Sequence, residues 1–203
     1  MLFVLFVALV LTSVLMYRRM SLAERELVEL RRIAGYYRVE DERLLYAATI
    51  ETNDPLSWGW RVYLPAGHKY TWHYYSGEIP PNGFPKNFGT FGDGATRTGA
   101  VEDVVYLSLR KNLNDQWVLN LMQESKGSKI STSSDVTDEV VSQIRNAKGR
   151  TWECLGNGRS ESRKVDGPIV LLRCLVIQQA NGVAALPPDK PASGIMLWLE
   201  TAP

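Results

Sequence analysis

The stretch SWGWRVYL (57–64), PAGH (65–68), KYTWHYY (69–75) decides the class of fold. In its first part Trp58, Trp60, Val62 and Leu64 fall on one side of an extended chain, and Gly59, Arg61 and Tyr63 on the other. That is the period-two pattern of a half-buried strand. Pro65-Ala66-Gly67 turns the chain, and the run from Lys69 to Tyr75 returns with Tyr70, Trp72 and Tyr74 on one face. The two runs predict a β-hairpin.

Outward from it the same rhythm recurs. Upstream, Leu44 to Thr52 is a strand, followed by the turn Asn53-Asp54-Pro55. Downstream, Ile79 to Gly99 is rich in Pro and Gly and predicts a long loop. Val101 to Asn112 and Gln116 to Gln123 are two alternating strands joined by the turn Asn112 to Asp115. Gly127 to Ser134 is polar. Val136, Val140, Val141 and Ile144 repeat at helical spacing, with Ser134 or Asp135 as the cap, and predict a short helix. Arg150 to Leu155 is strand-like, Gly156 to Gly167 a polar loop, and Ile169 to Ile177 a central strand. A further loop holds Leu186-Pro187-Pro188 and Pro191, and Ile195 to Glu200 closes the domain. Short strands with Pro/Gly turns predict an antiparallel β-sandwich-like domain over residues 41–203.

The N-terminus is different. Met1 to Met16 has no charged residue, no Gly and no Pro. At ~1.5 Å per residue it covers about 24 Å, against a hydrocarbon core of ~30 Å. Tyr17 suits an interface, and Arg18 and Arg19 can extend to headgroups. Residues 1–17 are therefore expected to be a single transmembrane anchor that binds the membrane. A cleaved signal peptide would need a basic n-region and a small-residue cleavage site, and neither is present. A buried core helix is the remaining alternative. Residues 18–40 form a connector: Met20, Ala23, Leu27, Leu30, Ala34 and Tyr37 keep a coiled-coil rhythm. Ser21 to Glu24 fits a capping box at which the helix restarts, and Gly35 marks its end. Self-association through Met20, Leu27 and Leu30 and packing on the following domain are equally consistent with so short a seam.

Charge excludes one class of partner. Residues 1–40 carry six Arg against four Glu, which leaves 17 basic and 18 acidic residues in the remainder. A near-neutral domain lacks the electrostatic footprint for nucleic acid. Cys154 and Cys174 are too few for a disulfide scaffold or a four-ligand zinc site. They are two small buried hydrophobes or one disulfide, the former being the commoner fate of such residues. His68 and His73 have no second ligand at metal spacing, so no metal and no cofactor is expected. No nucleophile motif is present, and no catalytic residue is assigned. Gly89 to Gly94 is glycine-rich but lacks the P-loop Lys. Glu78, Asp93, Glu102 and Asp103 lie near the aromatic region and could form a carboxylate pair for glycoside hydrolysis, but every protein of this size has such pairs. Tyr70, Trp72 and Tyr74 are the candidate ligand-binding rings if exposed, and core if buried; burial tendencies favour core.

The order of parts resembles a group of short membrane-anchored proteins of unknown function that are common in planctomycete bacteria. The resemblance lies in Leu2 to Leu15, Tyr17 to Arg32 with Gly35-Tyr36, Trp60 to Pro65, Ile79-Pro80, Gly83-Phe84-Pro85, Ile169 to Arg173 and Gly194 to Glu200. Those proteins often begin with a basic stretch, whereas this chain begins inside the apolar run. Arg18 and Arg19 alone would place the domain in the cytoplasm; the resemblance implies the extracytoplasmic side of the cell membrane, to which the reading leans. The expected function is a non-catalytic binding domain at the cell envelope with an unknown envelope partner. The alternative is a membrane-tethered hydrolase of envelope carbohydrate or peptide, which needs a carboxylate or His73 with a partner in hydrogen-bond reach.

Overall fold

The computed structural model describes residues 2–92, 98–146, 150–155, 161–176, 179–180, 183–184 and 190–202; within these, the side chains of 2–11, 32, 146, 150–153, 179–180, 183–184 and 202 are outside the description. A single helix, α1 (Leu2–Ala34), occupies the N-terminus. Its second half is built of Leu, Ala, Glu and Arg, all good helix formers, and runs through Ser21 without a break. It ends at Gly35, whose φ of +65° suits glycine. There the Tyr36 N–H donates to the Arg31 carbonyl at 2.9 Å, the closure of a Schellman motif.

This helix corrects the reading of residues 1–17 as a transmembrane anchor. Among the described residues no helix is long and apolar enough to cross a membrane. The apolar run is short, and the same unbroken helix goes on to carry Arg18, Arg19, Glu24, Arg25, Glu26, Glu29 and Arg31. An anchor followed by a separate coiled-coil-like connector is replaced by one helix. Met20, Leu27 and Leu30 are 64, 45 and 64 % exposed, so this row does not pack on the β-domain.

The sandwich is built from β1 (Leu45–Ile50), β2 (Ser57–Leu64), β3 (Lys69–Ile79), β4 (Gly89–Phe91), β5 (Val101–Lys111), β6 (Trp117–Ser125), β7 (Ser128–Asp135), then helix α2 (Asp138–Asn146), β8 (Arg150–Cys154), β9 (Glu161–Arg163), β10 (Ile169–Val176), the two-residue strands β11 (Gln179–Ala180) and β12 (Val183–Ala184), and β13 (Ala192–Ala202). One sheet has the order β7-β6-β5-β2-β1-β9, the other β4-β3-β13-β10-β8, and β11 pairs β12. All pairings are antiparallel. The mainly β, two-sheet expectation is what the chain adopts.

The predicted hairpin of β2 with β3 does not form. β2 pairs with β1 and β5, and β3 with β13 and β4, so the turn at 65–68 carries the chain from one sheet to the other. The Tyr70 hydroxyl donates to the Pro65 carbonyl at 2.8 Å and ties this corner. Trp60, Val62 and Leu64 thereby meet Tyr70, Trp72 and Tyr74 face to face in the main core. The core continues through Val105, Leu107, Leu119, Leu121, Leu171, Leu172, Ile195 and Leu197. Helix α2 closes it with Val140, Val141 and Ile144, all buried. Its cap is Thr137, whose hydroxyl accepts the Val140 N–H at 3.5 Å; Ser134 and Asp135 belong to β7 instead.

Outside the core, the segment after α1 lies on the outer face of the first sheet. Tyr37, Tyr46 and Ala48 cluster there with Val39, Leu44 and Tyr63. The Tyr37 hydroxyl donates to Glu102 Oε2 at 2.7 Å. The polar stretch Gly127 to Ser134, to which the sequence assigned no element, supplies most of β7. The expected loop at 156–167 contributes β9, while 156–160 and the prolines at 187–188 lie outside the described residues.

Candidate functional site

The rings singled out from sequence are core. Tyr70, Trp72 and Tyr74 project between the sheets and are buried. No ligand can stack on them in this fold. Neither Cys154 nor Cys174 is in a disulfide. Cys154 lies opposite Leu172 and Cys174 opposite Trp152, so the cysteines are diagonal neighbours across β8 and β10. Diagonal Cα atoms are roughly 7–8 Å apart, beyond the reach of a relaxed disulfide. Cys174 fills the core, and burial pushes the Cys154 thiol above its ordinary pKa, which disfavours the reactive thiolate.

The other candidates scatter. Glu102 takes the Tyr37 hydroxyl on the outer face, while Asp103, next in the strand, points inward and accepts from Gln123 Nε2 at 2.6 Å. Glu78 sits opposite Ser193, and Asp93 lies outside the described residues. Gly89 is in β4, and a Cβ there would run into the Tyr74 ring, so this glycine serves packing; Gly94 lies outside the described residues. Among the described residues no group of three or more His, Cys, Asp or Glu is placed to hold a metal.

A groove that the sequence did not reveal lies on the outer face of the first sheet. Ser57, Ser108 and Asn120 stand side by side on β2, β5 and β6 and make a polar floor. Tyr106 and Met122, opposite each other, flank it. Tyr106 lies over Gly59, where a Cβ would come within 2.9 Å of the ring, so glycine here lets the ring lie flat on the sheet. The loop 51–56 forms a wall that its own hydrogen bonds hold rigid. The Thr52 hydroxyl donates to the Ser57 carbonyl at 2.6 Å, and Asp54 accepts the Leu56 N–H and the Ser57 hydroxyl, each at 2.9 Å. The resulting cavity of about 350 Å³ is lined by these residues and Arg110.

A second cavity, about 630 Å³, adjoins it and shares Asp54 and Arg110. Its far side is the half-buried Trp117, with Lys111 Nζ 5.9 Å and the Arg145 guanidinium 6.0 Å from the ring centroid. Lys111 is also paired with Asp115 at 2.7 Å. Cationic groups therefore border the partly exposed edge of an indole that packs against the main core from the inner side of β6, on the opposite face of the sheet from the polar floor. Such a site suits a negatively charged or carbonyl-rich ligand that stacks on the ring.

On the outer face of the second sheet, His73 meets a carboxylate. Its Nε2 is 2.8 Å from Glu200 Oε2, and Nδ1 is 3.4 Å from the Thr90 hydroxyl. Phe88 and Trp198 close over the imidazole at centroid distances of 4.7 and 5.3 Å, and the residue is buried. Arg173 pins the covering loop by donating to the Gly83 carbonyl at 2.6 Å. None of the cavities described above is lined by this group.

Burial outweighs the Glu200 contact and holds the His73 pKa below 6.5. The unfolded chain therefore binds more protons than the folded one as pH falls below 6.5, and acidification through this window destabilises the fold. Thermal melts across it are expected to show a falling midpoint, with a shallower fall in His73→Phe. An equal fall in both would exclude His73 as the source.

No known protein family matches the chain, and no curated protein or solved structure is similar to it.

Proposed function

We propose that the chain is a non-catalytic binding domain whose β-sandwich receives an acidic segment of a partner protein in the groove between Tyr106 and Trp117. The observation that carries this is the pair of adjoining cavities sharing Arg110, with Trp117 bordered by Lys111 and Arg145. The cell-envelope setting rests on the resemblance noted above. The exposed row Met20, Leu27 and Leu30 of α1 is a second surface, proposed for pairing with another copy.

Fluorescence anisotropy with a labelled hexaglutamate peptide tests the groove. Arg110→Ala and Trp117→Ala are each expected to weaken binding on the order of tenfold, the effect of losing an interface anchor. The melting curve of Arg110→Ala should stay near wild type, since that side chain is exposed, whereas Trp117→Ala should also lose some stability because its ring packs against the main core. Undiminished peptide binding in both variants would sink the proposal.

A second reading, a hydrolase of envelope carbohydrate or peptide, is favoured by one contact, the His73–Glu200 pair. It requires Thr90, which is exposed, as the nucleophile relayed through His73. Covalent labelling of Thr90 by an activated phosphonate, lost in His73→Phe, would establish it. No labelling of the folded chain would remove it.

A further inference from the structure

β7 is a sheet edge unlike the others. The edge strands β4, β9 and β8 are three, three and five residues long, whereas β7 has eight. Its register with β6 is unbroken from Val118–Asp135 to Ser125–Ser128. It has no proline and no inward-pointing charge, devices that usually blunt an edge. Among the described residues nothing pairs with its second side.

Which backbone groups are open follows from the turn. Lys126 and Gly127, with φ of +46° and +81°, form a two-residue hairpin loop, so Ser125 and Ser128 are the hydrogen-bonded closing pair. At the other end the Val136 N–H donates to the Trp117 carbonyl at 3.0 Å. Even-numbered residues of β7 therefore face β6. The N–H and C=O groups of Lys129, Ser131, Ser133 and Asp135 point away from the sheet.

We propose that a second copy of the chain adds to this edge, β7 antiparallel to β7 about a two-fold axis at Thr132. An antiparallel neighbour must pair outward-facing residues with outward-facing residues. The register centred on Thr132 does so, setting Ser131 against Ser133 and Lys129 against Asp135. Moving the centre by one residue either way also satisfies the backbone, but leaves Lys129 against Ser133 or Asp135 against Ser131. Only the first register matches the charges. The contact is isologous, with Lys129 and Asp135 paired twice across the axis and about eight backbone hydrogen bonds. Ile130, 49 % exposed, is set against Ser134. The two six-stranded sheets become one continuous sheet. The two charges that would protect a monomer from indiscriminate pairing select this pairing instead.

The full-length chain carrying Thr132→Cys, Ile130→Cys or Ser134→Cys, mildly oxidised and run on a non-reducing gel, tests the register. At the axis the two residues form a non-hydrogen-bonded pair with Cα atoms about 4.5 Å apart, close enough to bridge. Thr132→Cys is expected to give a disulfide dimer above the wild-type background. Ile130→Cys and Ser134→Cys should give it only when mixed with each other. In sedimentation, Lys129→Asp should weaken dimerisation about tenfold, and Lys129→Asp with Asp135→Lys should restore it. Equal cross-linking at all three positions, a monomer at every concentration, or dimers indifferent to Lys129→Asp would overturn the proposal. The last result would place the contact elsewhere, on α1.

Discussion

Trp72→Ala is expected to destabilise the domain by about 3–5 kcal/mol, the usual cost of removing a buried aromatic ring. Trp72 is 1 % exposed and lies at the middle of β3, opposite Leu199 of β13 on one side and Phe91 of β4 on the other. Its ring fills the space between the sheets, and the strands around it are held in register by their ladders. The cavity would therefore collapse only in part. A domain of this size has roughly 5–15 kcal/mol in total, so a large fraction of its stability would go. Urea denaturation followed by far-ultraviolet circular dichroism measures this as a fall in midpoint at constant slope. Trp117→Ala is the contrast: a ring of the same chemistry, half-buried at the groove, whose removal should cost far less. If Trp72→Ala melts within about 1 kcal/mol of wild type, the ring is not in the core. The sandwich assignment at β3 would then fail.

The same tryptophan shows what the sequence could and could not say. Alternation identified β2 and β3 as strands and assigned their apolar faces correctly, because side-chain direction in a strand is a local property. Pairing is not local. A short turn between two amphipathic strands serves a hairpin or a crossing between sheets equally well. The inward rows Trp60-Val62-Leu64 and Tyr70-Trp72-Tyr74 could lie side by side or face to face. The structure sets them face to face. β7 escaped notice for a related reason: its half-buried inner residues Thr132 and Ser134 are polar, so the strand has no apolar alternation to display. At the N-terminus, composition marked a helix but not its extent. The apolar run and the charged run are one helix, since neither contains a breaker before Gly35. The groove was the least legible feature. Its floor joins Ser57, Ser108 and Asn120, and its end joins Arg110 to Arg145, residues brought together only by strand order and the placement of α2.

Gly194→Ala is the second large expected effect, and its sign is informative. Exchanging glycine for alanine inside a strand ordinarily stabilises, by about 0.5–1 kcal/mol, because the unfolded chain loses freedom. Gly194 has no positive φ, so alanine would suit its backbone. Yet a Cβ there would sit on the carbonyl of Cys174 and come within 3.1 Å of Ile79 Cδ1. The obstacle is backbone, and it cannot swing aside as a side chain can. Gly194 lies in β13 between Leu175 of β10 and Gly77 of β3, so moving it away from one neighbour drives it toward the other. Overpacking of this kind costs about 1–3 kcal/mol, sometimes more. The upper end is expected here, because the whole β3–β13–β10 ladder must shift to relieve it. Gly67→Ala provides the comparison: nothing lies within 4 Å, but φ is +84°, so its cost of about 1–2 kcal/mol is conformational and confined to one turn. A Gly194→Ala chain as stable as wild type would mean that β10 and β13 do not approach as closely as described. Destabilisation well beyond Gly67→Ala would identify close strand approach, and not turn geometry, as the reason glycine stands at 194.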